Sequence, residues 1–173
     1  MTADEIKKMI RDIPDFPQPG ILFRDITPLI SDARGLAAIV DQVAEPWLGH
    51  VDQVVGIESR GFIIGAPVAY RLGVGLTIAR KPGKLPYLTV AENYELEYGS
   101  TALHVHQDGL AGRVRVLIVD DLLATGGTAL AAVRLVKKLG GQVTGCAFVI
   151  ELTGLRGRER LEPVTCSSLV QYD

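Results

Sequence analysis

The sequence is poor in the features that mark several broad protein classes. It holds two cysteines, Cys146 and Cys166, in 173 residues. Neither sits in a metal-binding spacing or a disulfide framework, which fits a reducing compartment. No apolar run approaches the ~20 residues needed to span a bilayer. The opening segment, MTADEIKKMIRDIPDFP, places acids and lysines where a signal peptide needs an apolar core. These absences lead us to expect a soluble, cytoplasmic protein with no membrane partner. An excess of one charge is also missing. The formal charge is −2, which argues against broad electrostatic binding to nucleic acid. There is no Gly-Lys-Ser/Thr loop and no GxGxxG fingerprint, so the two common nucleotide-binding signatures are excluded. Internal repeats and low-complexity tracts are absent as well.

What remains is ordinary for a globular chain: 47% apolar and 22% charged residues. That length and composition predict a single domain over residues 1–173. Residues 3–11 read as a short amphipathic helix with Ile6, Met9 and Ile10 on one face. Pro14, Pro17 and Pro19 forbid regular helix in IPDFPQPGILF, and Thr27-Pro28 opens another irregular stretch. Residues 35–47 read as a helix. Two strand–helix–strand units follow. One runs VDQVVGI, SRGFIIGAPVAYRLG, VGLTIAR; the other runs RVRVLIVD, TALAAVRLVKKLG, QVTGCAFVIEL. Gly73 and the pair Gly140-Gly141 stop the helices. The strands are nearly continuous apolar runs, as a parallel sheet covered on both faces requires. The expected class is therefore α/β, a mainly parallel twisted sheet with helices on both faces. Residues 81–107 mix turn residues, lysines and alternating segments such as TALHVH, which reads as a mobile loop followed by antiparallel strands.

The most informative stretch is VLIVDDLLATGGTA. Asp120 and Asp121 stand at the end of a buried strand, and ligands bind outside that end of open α/β sheets. Ala124, Thr125, Gly126, Gly127 and Thr128 then bring small residues to a helix start. Backbone N–H groups gathered there hold a phosphate, helped by the helix dipole. Acids beside a phosphate cradle suit a ligand that also donates hydroxyls, as ribose does. Two adjacent acids alone would be a solvated turn; the whole run argues otherwise. His104 and His106 share one strand face with no third ligand near, which reads as a solvated face rather than a zinc site.

This stretch resembles the phosphoribosyl pyrophosphate (PRPP) motif of the type I phosphoribosyltransferase family. Further segments, FPQPGILFRDITPLI, GIESRGFIIGAPVAYRLGVG, RKPGKLP, YELEYG and ELTGLRGRERL, are similar to the adenine-specific branch, in the same order along nearly the whole chain. The resemblance implies a transfer of the phosphoribosyl group from PRPP to N9 of adenine, giving AMP and pyrophosphate. It implies a small N-terminal hood, about residues 1–35, over the base.

The same resemblance assigns roles. Asp120 and Asp121 would bind ribose, and residues 124–128 the 5′-phosphate. Ser59, Arg60, Arg80, Lys81 and Lys84 would bind pyrophosphate, Arg60 in two-pronged fashion. Glu97 would serve as general acid/base at N9, with Tyr98 and Arg60 beside it. Phe23 would stack on the base while backbone groups of Leu22 and Arg24 read its edge. The Glu58–Ser59 peptide is often cis in the family. Mg²⁺ is the implied cofactor, carried by PRPP oxygens and water with no direct side-chain ligand. A homodimer is implied too. Taken without the resemblance, Arg60 reads equally as a partner of Glu58, RKPGKLP as a basic turn, and Phe23 as core. Two competing functions are a 6-oxo purine as base (xanthine or guanine) and a non-catalytic PRPP-sensing regulator.

Overall fold

The computed structural model describes residues 1–96, 99–110, 112 and 114–173. Thr2 and Glu5 cap each other reciprocally, hydroxyl to N–H and carboxylate to N–H, and α1 (Ala3–Lys8) follows. This helix stops short of the expected residue 11. Arg11 already belongs to β1 (Arg11–Pro14), which pairs antiparallel with β2 (Leu22–Asp25). Thr27-Pro28, expected to be irregular, begins α2 (Thr27–Ser31) instead. Proline is tolerated there because the first-turn N–H needs no helical partner. The next helix, α3 (Ala33–Ala44), starts before residue 35 because Asp32 caps it, accepting from the Gly35 N–H at 2.8 Å. A single 3₁₀ turn carries the chain on through Trp47.

From here strands and helices alternate. β3 (Gln53–Ile57), α4 (Arg60–Leu72) and β4 (Gly75–Ala79) form the first unit. β5 (Thr89–Leu96) and β6 (Gly99–His106) pair as an antiparallel ribbon. β7 (Arg115–Leu123), α5 (Gly127–Lys138) and β8 (Gln142–Leu152) form the second unit. A third was not legible in the sequence: α6 (Gly157–Leu161) leads to β9 (Thr165–Tyr172), which adds a parallel strand beside β8.

The five parallel strands lie in the order β4-β3-β7-β8-β9. Their residues alternate between two cores. Val54, Leu117, Val119, Ala147 and Val149 face one way, packed with Ile6 of α1, Ile39 and Val43 of α3, and Ile64 and Val68 of α4. Val55, Val116, Ile118, Cys146 and Phe148 face the other way, against Ala131 and Leu135 of α5, Leu161 of α6, and Leu103 and Val105 of the ribbon. Both faces are covered, so the strands read as unbroken apolar runs. The expected α/β class, a mainly parallel sheet with helices on both faces, is what forms. No helix among the described residues is long and apolar enough to cross a membrane.

The order of the strands places the site. The chain leaves β3 leftward to β4, then returns to its other side as β7. The crossover helices α4 and α5 lie on opposite faces. That reversal opens a crevice outside the C-terminal ends of β3 and β7. The ribbon is rooted beside it. Arg80 and His104 exchange backbone hydrogen bonds at 2.8 and 2.7 Å, and Lys138 and Arg134 of α5 hold Glu92 at 2.6 and 3.2 Å.

Candidate active site

The crevice is a cleft of about 450 Å³ between the end of β3, the end of β7 and the ribbon. Its walls are Glu58, Ser59, Arg60, Lys81, Tyr94 and the whole run from Asp120 to Ala129. The structure thus gathers residues separated by some 60 positions into one concavity. Two helices begin there, α4 at Arg60 and α5 at Gly127. Neither Ser59 nor Gly126 caps its helix with a side chain. First-turn N–H groups have no intrahelical partner, so two positive helix ends face one space.

β7 continues past the acid pair to Leu123, farther than a strand ending at the acids. Asp121 is nearly buried, 8% exposed at the side chain, and its Oδ2 pairs with Nε of Arg60. Arg60 is therefore bonded to Asp121 and not to Glu58. Its guanidinium also lies 5.2 Å from the Phe23 ring. Among the described residues Asp120 has no cation partner of that kind. Its Oδ1 accepts the Asp121 N–H, at 2.9 Å. Burial, and then the neighbouring Asp121 carboxylate, push the Asp120 carboxyl well above the usual aspartate range.

Close backbone packing shapes the loop over residues 124–128. Gly126 has φ +81°, a left-handed conformation that glycine adopts without penalty. Gly157, at the start of α6, presses on this loop from outside. A Cβ there would lie 2.1 Å from the Ala124 carbonyl oxygen. On the other side, a Cβ at Gly61 would meet Oδ1 of Asp120 at 2.9 Å, so α4 begins hard against β7.

The basic segment is only partly in the cleft. The Glu58–Ser59 peptide is cis, which the sequence alone left open. Glu58 accepts from Nε and Nη2 of Arg80 at 3.3 and 3.2 Å and from the Lys81 N–H at 2.9 Å. Burial raises its carboxyl, but the Lys81 N–H and the Arg80 guanidinium together hold it below the usual glutamate range. Arg80 also donates to the Lys84 carbonyl at 3.1 Å, which folds RKPGKLP back on itself. Lys81 lines the cleft, whereas the Lys84 side chain is exposed and outside its walls.

Leu22, Phe23 and Arg24 lie on β2, outside the cleft walls. Phe23 packs edge-on against Phe16 at 5.1 Å rather than in the main core. The Arg24 side chain pairs with Asp12 and stacks 3.9 Å over the Tyr172 ring. Glu97 and Tyr98 lie outside the described residues. His104 bonds Thr89 Oγ1 at 3.1 Å, while Nε2 of His106 is buried with no partner among the described residues. The expected solvated face is thus corrected: the edge of Tyr87 packs on the His106 ring. No three His, Cys, Asp or Glu side chains cluster as a metal cage among the described residues.

Sequence reasoning missed two members of the site. Tyr94 enters the cleft wall from β5, and Gly157 props the loop from α6. Tyr94 lay inside a segment read for its acids. Gly157 lay in a segment, ELTGLRGRERL, that carries no chemistry of its own.

Residues 24–172 match the family described as the phosphoribosyl transferase domain. The chain is 54% identical over 169 residues to the adenine phosphoribosyltransferase of Acaryochloris marina, covering 97% of this chain and 99% of that one. It is similar in structure to the adenine phosphoribosyltransferase of Thermoanaerobacter pseudethanolicus, with a TM-score of 0.96 and 49% identity over 99% of this chain and 100% of the other. The adenine phosphoribosyltransferase of Saccharomyces cerevisiae, solved with an imino-altritol bisphosphate and adenine, matches with a TM-score of 0.91 and 37% identity, over 96% and 97% of the two chains.

Proposed function

This chain belongs to the phosphoribosyl transferase family, and on that premise we propose that it transfers the 5-phosphoribosyl group of PRPP to N9 of adenine, releasing pyrophosphate and forming AMP in purine salvage. The observation that carries the reading is the cleft itself. Two open helix N-termini and an acid pair converge at the switch point of the sheet. A ligand with phosphate at both ends and ribose hydroxyls between them matches that pattern of donors and acceptors.

The residues divide the work accordingly. Ala124, Thr125, Gly126, Gly127 and Thr128 hold the 5′-phosphate at the start of α5. Asp120 and Asp121 accept the ribose hydroxyls. Ser59, Arg60 and Lys81 hold the pyrophosphate at the start of α4, and Arg80 and Lys84 join them as the segment closes. The ribosyl carbon gains positive charge as pyrophosphate leaves. The neighbouring acids favour that charge, and the cations and helix ends favour the departing anion. Glu97 takes the N9 proton, with Tyr98 beside it. Phe23 stacks on adenine, and the backbone of Leu22 and Arg24 distinguishes a 6-amino from a 6-oxo edge, where donor and acceptor swap.

Mg²⁺, where bound with PRPP, would supply charge neutralisation at the pyrophosphate. The donor set suits a metal that arrives with its ligand. Glu58 is engaged by Arg80 and Lys81, and Asp121 by Arg60. Asp120 would be the carboxylate left to hold a hydrated ion. Two free thiols support a cytoplasmic setting. Ile63 and Tyr70, exposed one above the other on α4, with Leu76 exposed on the edge strand β4, support a homodimer.

The test supplies the purified protein with PRPP, Mg²⁺ and one base at a time: adenine, hypoxanthine, guanine, xanthine or orotate. We expect AMP from adenine alone. Product from a 6-oxo base would overturn the roles of Leu22 to Arg24. PRPP binding without product from any base would overturn catalysis.

A further inference from the structure

The two thiols, far apart in the chain, are neighbours in the sheet. Cys146 of β8 and Cys166 of β9 are register partners in the parallel pairing. Adjacent strands lie about 4.8 Å apart, and register partners point to the same face. Both residues belong to the core beneath α5 and α6. Disulfides tolerate Cα separations of roughly 4.4–6.8 Å, so this spacing lies within their range. Cys146 is fully buried, and Cys166, on the edge strand, is only partly buried.

We propose that Cys146 and Cys166 form a dithiol that hydroperoxides oxidise to an intramolecular disulfide, Cys166 attacking first and Cys146 resolving. Accessibility assigns the roles, since only Cys166 can meet a solute. Its surroundings agree. Nη1 of Arg158 donates to the Cys166 carbonyl at 2.5 Å, which parks a guanidinium beside this residue. The Cys146 thiol, opposed by burial and aided by Arg158, lowers the Cys166 pKa, with Glu151 opposing. The neighbouring Cys166 and then burial raise the Cys146 thiol. The thiolate is the nucleophile, so the first attack falls to Cys166.

The chemistry balances. The Cys166 sulfur attacks the outer oxygen of a hydroperoxide, the O–O bond breaks, and the alkoxide leaves with a proton as an alcohol. Cys166 becomes a sulfenic acid. The Cys146 sulfur then attacks the Cys166 sulfur, the S–O bond breaks, and hydroxide departs as water with the Cys146 proton. Two thiols and one hydroperoxide give one disulfide, one alcohol and one water. A buried resolving thiol next to the sulfenic acid intercepts it before a second oxidant does.

The whole protein is treated with tert-butyl hydroperoxide, quenched, denatured without reductant and analysed by intact mass and peptide mapping. We expect both thiols to vanish together, with loss of two hydrogens and a peptide joining Cys146 to Cys166 that dithiothreitol separates. In Cys146→Ala the cross-link is lost and dimedone captures Cys166. In Cys166→Ala the remaining thiol reacts at least tenfold more slowly while the protein stays folded. Wild-type Cys166 passing to the sulfinic acid without a cross-link would overturn the proposal, as would a disulfide found only between chains. Neither readout depends on transferase activity.

Discussion

Neighbouring strands end in acids of opposite character. Glu151 on β8 is 5% exposed and completely bonded. It accepts from Nε of Arg158 at 2.9 Å and from its Nη2, from Ser168 Oγ at 2.6 Å, and from Gln171 Nε2 at 3.3 Å. The Arg158 guanidinium, above all, holds its carboxyl down at about 2. Asp120, on the next strand, accepts one backbone N–H and sits against a second carboxylate, and its carboxyl is pushed up. The first acid is satisfied by its own chain and ties α6 to β8 and β9. The second keeps capacity that the chain does not use. A group left in that condition is disfavoured in the free protein and favoured once a ligand supplies donors.

Substitutions should separate these two roles, and the largest effect falls on the cleft. Replacing Asp120 and Asp121 together by Asn removes the acceptor charge proposed for two ribose hydroxyls. Hydrogen bonds to charged groups contribute about 1.5–3 kcal/mol each, so kcat/KM for PRPP should fall on the order of 10³-fold. Steady-state kinetics measure this, and unchanged kinetics would sink the ribose assignment. Glu151→Ala should do the reverse. It strands the Arg158 guanidinium and the Ser168 hydroxyl, at a cost of roughly 2–3 kcal/mol in urea unfolding. Its kcat/KM for PRPP should move by less than about tenfold, a ΔΔG‡ below roughly 1.4 kcal/mol. If activity collapsed while stability held, Glu151 would have been misjudged as structural.

Gly157→Ala tests a place where the two regions touch. The added methyl would sit 2.1 Å from the Ala124 carbonyl oxygen, so either α6 or the loop must move. Overpacking of this kind costs about 1–3 kcal/mol. Part of it should appear as a KM for PRPP raised about tenfold, since the displaced backbone is the proposed phosphate cradle. An unaltered KM alongside lower stability would show that α6 yields and the loop does not.

The same comparison explains what the sequence disclosed. The parallel sheet was legible because β3, β7 and β8 are long apolar runs and their helices end at glycines. β9 was not, because TCSSLVQY is an edge strand with one fully buried residue, Val170. The run DDLLATGGT announced a loop at a helix start because all its members are contiguous. The bond from Arg60 to Asp121, the Gly157 prop and the Tyr94 wall were hidden because each depends on strand order, which no local pattern encodes. Likewise, the alternation of His104 and His106 suggested water on their face, whereas Tyr87 covers part of it. Position in the sheet, rather than residue type, separates Glu151 from Asp120.

The smallest expected effect sharpens the contrast most. Asp120 has a folded-state pKa above its unfolded value, so the fold binds its proton more tightly than the unfolded chain does. Its contribution to stability is then fully present below the ordinary aspartate range, near pH 4, and is lost as pH rises through the folded-state value. Asn mimics the neutral acid at every pH and keeps an oxygen for the Asp121 N–H. Asp120→Asn should therefore match the wild type near pH 4 and become the more stable protein above it. Glu151→Gln should trend the other way: its lowered pKa makes the wild type the more stable protein at neutral pH, with that advantage fading as pH falls from about 4.5 toward 2. Urea unfolding of both variants across pH measures the two slopes. Slopes of the same sign would mean that the two acids are not held in opposite states, and the division between a structural and a ligand-directed carboxylate would fail.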